Sequence, residues 1–249
     1  MTNSATGSPP RTAIVTGGSD GIGRAVCERL GASGMSVLVH YAGNPARAEE
    51  VVKAITSAGG AAAAARADVA DESEVAAVFD QAEQQFGGVD VVVHTAGIQF
   101  LAPLTELKLN DLDRMHRTNI RGTFVVGQQA ASRVRAGGAI INFSSSVVKI
   151  TLANYIAYAA TKGAVAALTL ILARELRGRD ITVNAVAPGP TARPRFRESK
   201  DQDAVDHLAN MAPPDRLGTP GDIAETVAFL AGPARWINGQ ILYANGGVS

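Results

Sequence analysis

Tyr158 and Lys162 stand four residues apart, a spacing that puts a phenol and an ammonium one turn apart on the same helix face. A free tyrosine ionises near pH ~10, too high to pass a proton efficiently at neutral pH. A nearby cation favours the phenolate and lowers that value, so Lys162 is placed to tune Tyr158. The spacing alone would equally describe a surface Tyr/Lys pair on an Ala-rich helix. Thirteen residues before Tyr158 lies Ser145, within Asn142-Phe143-Ser144-Ser145-Ser146. A hydroxyl there, at a strand end, could hold a substrate oxygen beside the phenol. Asn119 falls mid-helix in Thr118-Asn119-Ile120-Arg121-Gly122, where asparagine is a poor helix former. A kink with a bonded backbone is its plainest role.

Far upstream, Thr16-Gly17-Gly18-Ser19-Asp20-Gly21-Ile22-Gly23 follows a short apolar run and opens a helical pattern. Glycines permit the tight turn and let backbone N–H groups approach a pyrophosphate, while the helix N-terminus adds the positive end of its dipole. A strand-to-helix corner alone could look the same. Its place after the first strand of an alternating chain favours dinucleotide binding.

The elements that must position these groups alternate along the chain. Short apolar strands are expected at residues 12–15, 36–40, 89–94, 139–143, 181–187 and 240–244. Helical patterns cover 21–32, 45–57, 72–86, 109–134, 155–176 and 223–231. Residues 61–66 are ambiguous: alanine favours helix, but Gly59-Gly60 and Asp68 leave room only for a short strand. Strand, helix, strand, repeated this often, predicts an α/β fold: a doubly wound parallel sheet of about seven strands flanked by helices. Ligands of such sheets bind outside the carboxyl ends of the strands, near the switch in strand order.

The T-G-x-x-x-G-x-G spacing of the first loop resembles the short-chain dehydrogenase/reductase family, and the similarity continues along nearly the whole chain from Arg11. Asp68-Val69 is similar to the family's adenine-side Asp. Thr95-Ala96-Gly97 resembles most of its N-N-A-G turn, and Asn119, Ser145, Tyr158 and Lys162 resemble its catalytic tetrad. Pro188-Gly189, Asn238-Gly239-Gln240 and Asn245-Gly246-Gly247 match its later turns. The single-domain branch, with the 3-oxoacyl-carrier-protein reductases and related ketoreductases, is the nearest in pattern. The resemblance implies a Rossmann-type domain and hydride transfer between nicotinamide and a carbonyl or secondary alcohol. Tyr158 would act as acid/base and Ser145 would stabilise the oxygen. Lys162 would lower the phenol's pKa and hold the nicotinamide ribose, and Asn119 would hold a water of a proton relay. No metal ligands are assigned.

NAD-preferring enzymes usually carry an acid at the end of the second strand, bonded to the ribose 2′-OH. Here that end reads His40-Tyr41-Ala42-Gly43-Asn44, with no acid before Glu49. This favours NADP(H), with NAD(H) left open. Arg24 and Arg47 lie nearby in sequence, and Ser19, His40 and Asn44 could add hydrogen bonds. The resemblance has three departures: Asp20 replaces a common basic residue in the glycine loop, His94-Thr95 replaces the paired asparagines, and Arg193 takes the place of a carboxamide-binding threonine, leaving Thr191 as a substitute. The expected cofactor contacts are therefore Gly17, Ser19, Asp20, Gly21, Ile22, Gly23, His40, Tyr41, Asn44, Asp68, Val69, Thr95, Ala96, Gly97, Tyr158, Lys162, Pro188, Gly189 and Thr191. Gln99, Phe100, Val147, Ile150, Asn154 and Tyr155 should line the substrate side.

The chain of 249 residues has zero formal net charge, which argues against a general nucleic-acid or acidic-membrane binder. No apolar run is expected to approach the ~20 residues of a membrane span. Residues 1–10 read as a disordered tail lacking a signal-peptide layout, and the protein as cytoplasmic. Residues 11–249 form one domain, with a polar substrate loop at about 190–214. Arg193, Arg195, Arg197 and Lys200 cluster there, as a solvated stretch or as a preference for anionic substrates. Cys27, the only cysteine, reads as a small buried thiol. The resemblance further implies a homotetramer. Rival readings are a non-catalytic NADP(H)-binding regulator, against which all four tetrad positions are filled, and a sugar-nucleotide epimerase or dehydratase, whose longer chain and tighter glycine loop this sequence lacks.

Overall fold

The computed structural model describes residues 10–192 and 202–248. The cluster Arg193, Arg195, Arg197 and Lys200 and nearly all of the N-terminal tail lie outside the described residues. Seven strands form one parallel sheet in the order β3-β2-β1-β4-β5-β6-β7. They are β1 (Thr12–Thr16), β2 (Ser36–Tyr41), β3 (Ala62–Arg66), β4 (Val89–His94), β5 (Val134–Phe143), β6 (Thr182–Pro188) and β7 (Ile241–Ala244). The helices are α1 (Gly21–Ala32), α2 (Pro45–Ser57), α3 (Glu72–Phe86), α4 (Leu109–Met115), α5 (Gly122–Arg133), α6 (Val147–Ile150), α7 (Ile156–Glu175), α8 (Gln202–Asn210) and α9 (Pro220–Ala231). The order reverses between β1 and β4, and a crevice is expected there.

Helices cover both faces of the sheet, so its central strands are apolar throughout rather than alternating. One core packs Val15, Val39, Val93 and Phe143 against Val26 and Leu30 of α1 and Val227 and Leu230 of α9. The other packs Ile14, Leu38, Val92 and Ile140 against Phe79 of α3 and Val126 of α5. Short polar side chains start the helices. Asp20, Asn44 and Asp71 accept backbone N–H groups at the first turns of α1, α2 and α3, and Thr219 with Asp222 forms a reciprocal capping box on α9.

The short stretch that had room only for a strand is β3, where pairing with β2 outweighs alanine's helix propensity. Three expectations change. The helix expected over 109–134 is interrupted by a π-helical turn, His116–Arg121, that contains Asn119. Residues 202–210, expected as loop, form α8. Finally, α7 is 20 residues long with a mean hydropathy of 1.7 over its most apolar window, so one helix does reach membrane-spanning length and composition. It packs against β5 and β6, buries Ala157, Val165 and Ala173 among others, and carries Tyr158 and Lys162.

Candidate active site

The carboxyl ends of β1, β4, β5 and β6 open onto a cleft of about 710 Å³. The glycine loop forms one wall. Gly17 has φ +67°, a left-handed conformation that glycine adopts without strain, and a Cβ there would lie 3.0 Å from the Ala96 backbone nitrogen. A Cβ on Gly23 would collide with the Gly17 carbonyl oxygen. Only glycines let this turn close onto α1, and the resulting cradle of N–H groups at a helix N-terminus fits a dinucleotide pyrophosphate. The β4 turn locks to it: the Thr95 hydroxyl donates to the Thr16 carbonyl at 2.6 Å, and the Thr95 N–H does so at 3.2 Å.

On the opposite wall Lys162 is buried, and its Nζ donates to the Phe143 carbonyl at 2.8 Å. That bond fixes the ammonium 5.7 Å from the centre of the Tyr158 ring. Asn119 is buried in the π-turn. Its Oδ1 accepts the Ile98 N–H at 2.8 Å, while its Nδ2 donates to the Ile98 carbonyl at 2.9 Å and to the Thr161 hydroxyl at 3.1 Å. A Cβ on Gly97 would lie 3.3 Å from Asn119 Oδ1 and 3.5 Å from Lys162 Nζ, so these two groups converge on the same glycine. A π-turn at such a site is a recurring way to aim one side chain inward.

The three serines after β5 are not equivalent. Ser144 donates to the Lys162 carbonyl at 3.0 Å and Ser146 to the Pro188 carbonyl at 2.8 Å. The Ser145 oxygen accepts a long bond from the Val147 N–H at 3.4 Å and shares neither of the carbonyls that Ser144 and Ser146 reach. Ser145 and Tyr158 line the same cleft. Leu101, Val147, Ile150, Leu152 and Leu208 give its substrate end an apolar wall, with Gln99 and Tyr155 beside them. Phe100 and Asn154 do not line it. Leu208, in α8, escaped sequence reading, although Val205, Leu208 and Ala212 carry a weak helical spacing.

Of the cofactor contacts expected from sequence, Gly17, Asp20, Gly21, Ile22, Gly23, Thr95, Ala96, Gly97, Tyr158, Lys162, Pro188, Gly189 and Thr191 line the cleft, whereas Ser19, Tyr41 and Asn44 do not. Thr191 is buried and donates to the Gly189 carbonyl at 2.9 Å. Asp68 and Val69 lie outside the lining. The Asp68 carboxylate accepts the Ala70 N–H at 2.9 Å and Arg117 at 2.7 Å, and these bonds hold its pKa down, the backbone one first. His40 corrects an expectation outright. Its ring is buried, Nδ1 accepts the Gly17 N–H at 3.2 Å and Nε2 donates to the Ala67 carbonyl at 3.0 Å. The side chain braces the glycine loop from beneath and presents no hydrogen bond to the cleft. Burial pushes its pKa down to about 4.

With this geometry in place, the comparisons with known proteins agree. The family described as enoyl-(acyl carrier protein) reductase matches residues 17–249. A short-chain type dehydrogenase/reductase of Picea abies is 42% identical over 248 residues, covering 95% of this chain and 92% of its own. An Arabidopsis thaliana protein named NADPH-dependent aldehyde reductase 2, chloroplastic, is 39% identical, covering 98% and 97%. The crystal structure of a short chain dehydrogenase from Burkholderia cenocepacia in complex with NADP superposes with a TM-score of 0.90 at 37% identity, covering 96% and 98%. The chain belongs to the short-chain dehydrogenase/reductase family of oxidoreductases.

Proposed function

We infer that this protein is an NADPH-dependent reductase of apolar ketones or aldehydes, with Tyr158 as its acid/base. The observation that carries this reading is the convergence of Ser145, Tyr158 and Lys162 on one wall of the cleft whose other wall is the glycine loop. Bound NADPH would supply the hydride. Tyr158 would hand its proton to the carbonyl oxygen, and Ser145, which shares neither of the carbonyls that Ser144 and Ser146 use, would hold that oxygen in place. Lys162, anchored by the Phe143 carbonyl, would favour the phenolate left behind and hold the nicotinamide ribose. Asn119, through Ile98 and Thr161, positions the segments around Lys162 and would steady the water of a proton relay.

The named activity of the Arabidopsis relative and the NADP in the Burkholderia structure support the cofactor and the carbonyl chemistry. Exposed apolar side chains on α5 and α7 (Phe124, Ile156, Ile171), and Phe229 and Trp236 on another surface, support assembly as a homotetramer. The test is a panel of aliphatic and aryl ketones, aldehydes, alcohols and one enoyl thioester, each run with NADPH and NADH. Carbonyl turnover favouring NADPH is the expected result. Reduction of the enoyl thioester alone would overturn the carbonyl assignment. Tight NADPH binding with no turnover across the panel would replace the enzyme with a binding protein.

A further inference from the structure

The glycine loop carries a carboxylate, Asp20, where an anionic cofactor approaches, and this charge is not left alone. Asp20 Oδ1 accepts the Gly21 N–H at 2.8 Å and so caps α1, while Oδ2 takes Arg47 Nη1 at 2.6 Å. Arg47 lies in the first turn of α2, whose N-terminus carries the partial positive charge of the helix. One ion pair thus spans the glycine loop and the segment that follows β2. The 2′-position of an adenosine ribose is expected at this β2 end. Asp20 lines the cleft, and Arg47, outside that lining, is bonded directly to it.

The other nearby cations are differently placed. Arg24 is engaged by Glu28 at 2.8 Å and by Glu50 at 3.6 Å. Arg66 ends β3, one strand further from the glycine loop. The partners of the Asp20–Arg47 pair are 42% and 44% exposed, and pairs this open to solvent contribute little stability, so the guanidinium can be handed on at small cost. A phosphate dianion offers a guanidinium more charge than a carboxylate and can take it bidentately.

The geometry points to Arg47 as the residue that selects the 2′-phosphate of NADP(H), with Asp20 holding it beside the cleft until the phosphate takes it over. This rests on the NADP(H) reading above and adds the residue that would produce it. The pair would also explain how a carboxylate in the glycine loop is compatible with a doubly charged ligand: Arg47 offsets the charge that would otherwise repel it.

The experiment measures binding rather than turnover. Dissociation constants of 2′,5′-ADP, 5′-AMP, NADPH and NADH are obtained by calorimetry for wild type, Arg47→Ala, Asp20→Ser and Arg66→Ala. Serine retains the helix cap, so Asp20→Ser removes charge without unseating α1. The expected result is that Arg47→Ala weakens 2′,5′-ADP and NADPH at least tenfold and leaves 5′-AMP and NADH within twofold. Asp20→Ser should raise the NADPH/NADH preference above wild type, and Arg66→Ala should leave it unchanged. A wild type that binds NADPH and NADH equally would overturn the cofactor reading together with the inference. A wild type that prefers NADPH, with that preference intact in Arg47→Ala or lost in Arg66→Ala, would overturn the inference alone.

Discussion

The Thr16 hydroxyl meets Nδ1 of His94 at 2.8 Å across the β1–β4 pairing, and the same hydroxyl oxygen receives the Ala96 N–H at 3.3 Å. The ring is buried and neutral at physiological pH, and Nδ1 shares one hydrogen bond with the Thr16 hydroxyl. His94 pairs in turn with Asn142 on β5, and His40 on β2 takes the N–H of Gly17, the residue after Thr16. These four side chains form a buried polar row beneath the cleft, tying together the strands whose ends build it.

That row sets a pH limit. Burial, with the nearby Lys162 charge adding to it, pushes the His94 pKa down to about 3, and burial pushes that of His40 to about 4. Both folded values lie below the ordinary 6.5, so the unfolded chain binds more protons between them and stability falls as pH drops below 6.5. Above 6.5 the two rings add no pH dependence. Each ring should contribute on the order of 2 kcal/mol of destabilisation at pH 5. Urea denaturation at pH 7.5 and pH 5 would measure it, and His94→Asn should flatten the acid limb. An unchanged slope in that variant would remove His94 from the account.

Tyr158→Phe keeps the ring and deletes the proton donor. Turnover of the best carbonyl substrate should fall about 10²–10⁴-fold, while NADPH affinity, read by cofactor fluorescence, stays within threefold. Near-normal turnover would remove Tyr158 from the chemistry.

Asn119→Ala strips the partners from both the N–H and the C=O of Ile98. The expected loss is about 1–3 kcal/mol of stability, measured by thermal or chemical unfolding, together with a fall in kcat larger than any change in KM. A variant that loses stability but keeps kcat would make Asn119 purely structural.

Gly23→Ala puts a methyl against the Gly17 carbonyl and should open the phosphate cradle. Cofactor binding should drop at least tenfold while the fold, followed by circular dichroism, persists. Retained affinity would mean that the loop can adjust without its close turn.

Multi-angle light scattering should give four times the chain mass of 25.7 kDa. Replacing Ile171 and Phe124 with Glu should dissociate the assembly. A monomer in the wild type would show that these apolar faces serve something else.

The glycine loop and the Tyr158–Lys162 turn are legible in the sequence because each depends on local physics, a φ available only to glycine and a single helical repeat. Asn119 gives a partial signal: a poor helix former inside a helical pattern marks a disturbance but not its type, since one π-turn is too short to leave a period. His40 is misread because strand ends are usually exposed, whereas this β2 end is covered by Ala67 and the glycine loop, a tertiary fact. Ser145 is proposed among three serines from spacing in the family pattern, and the carbonyls that Ser144 and Ser146 reach, which support that proposal, appear only in the folded chain. The helix α8 hides because its nine residues are too short a window for a 3.6-residue period to stand out against the polar stretch around it.

The six-residue π-turn fixes length more strictly than it fixes identity. It offsets the phase of α4 from that of α5, since a π-turn accommodates an extra residue that an α-helix would not. Deleting one residue between His116 and Arg121 would restore a plain α-helix and swing one half about 100° around the other. Met115 on one side, or Val125 and Val126 on the other, would then leave the core that each now fills. Apart from Asn119, this stretch should therefore accept substitutions more readily than any insertion or deletion, a rule of chain counting that no side chain in it reveals by itself.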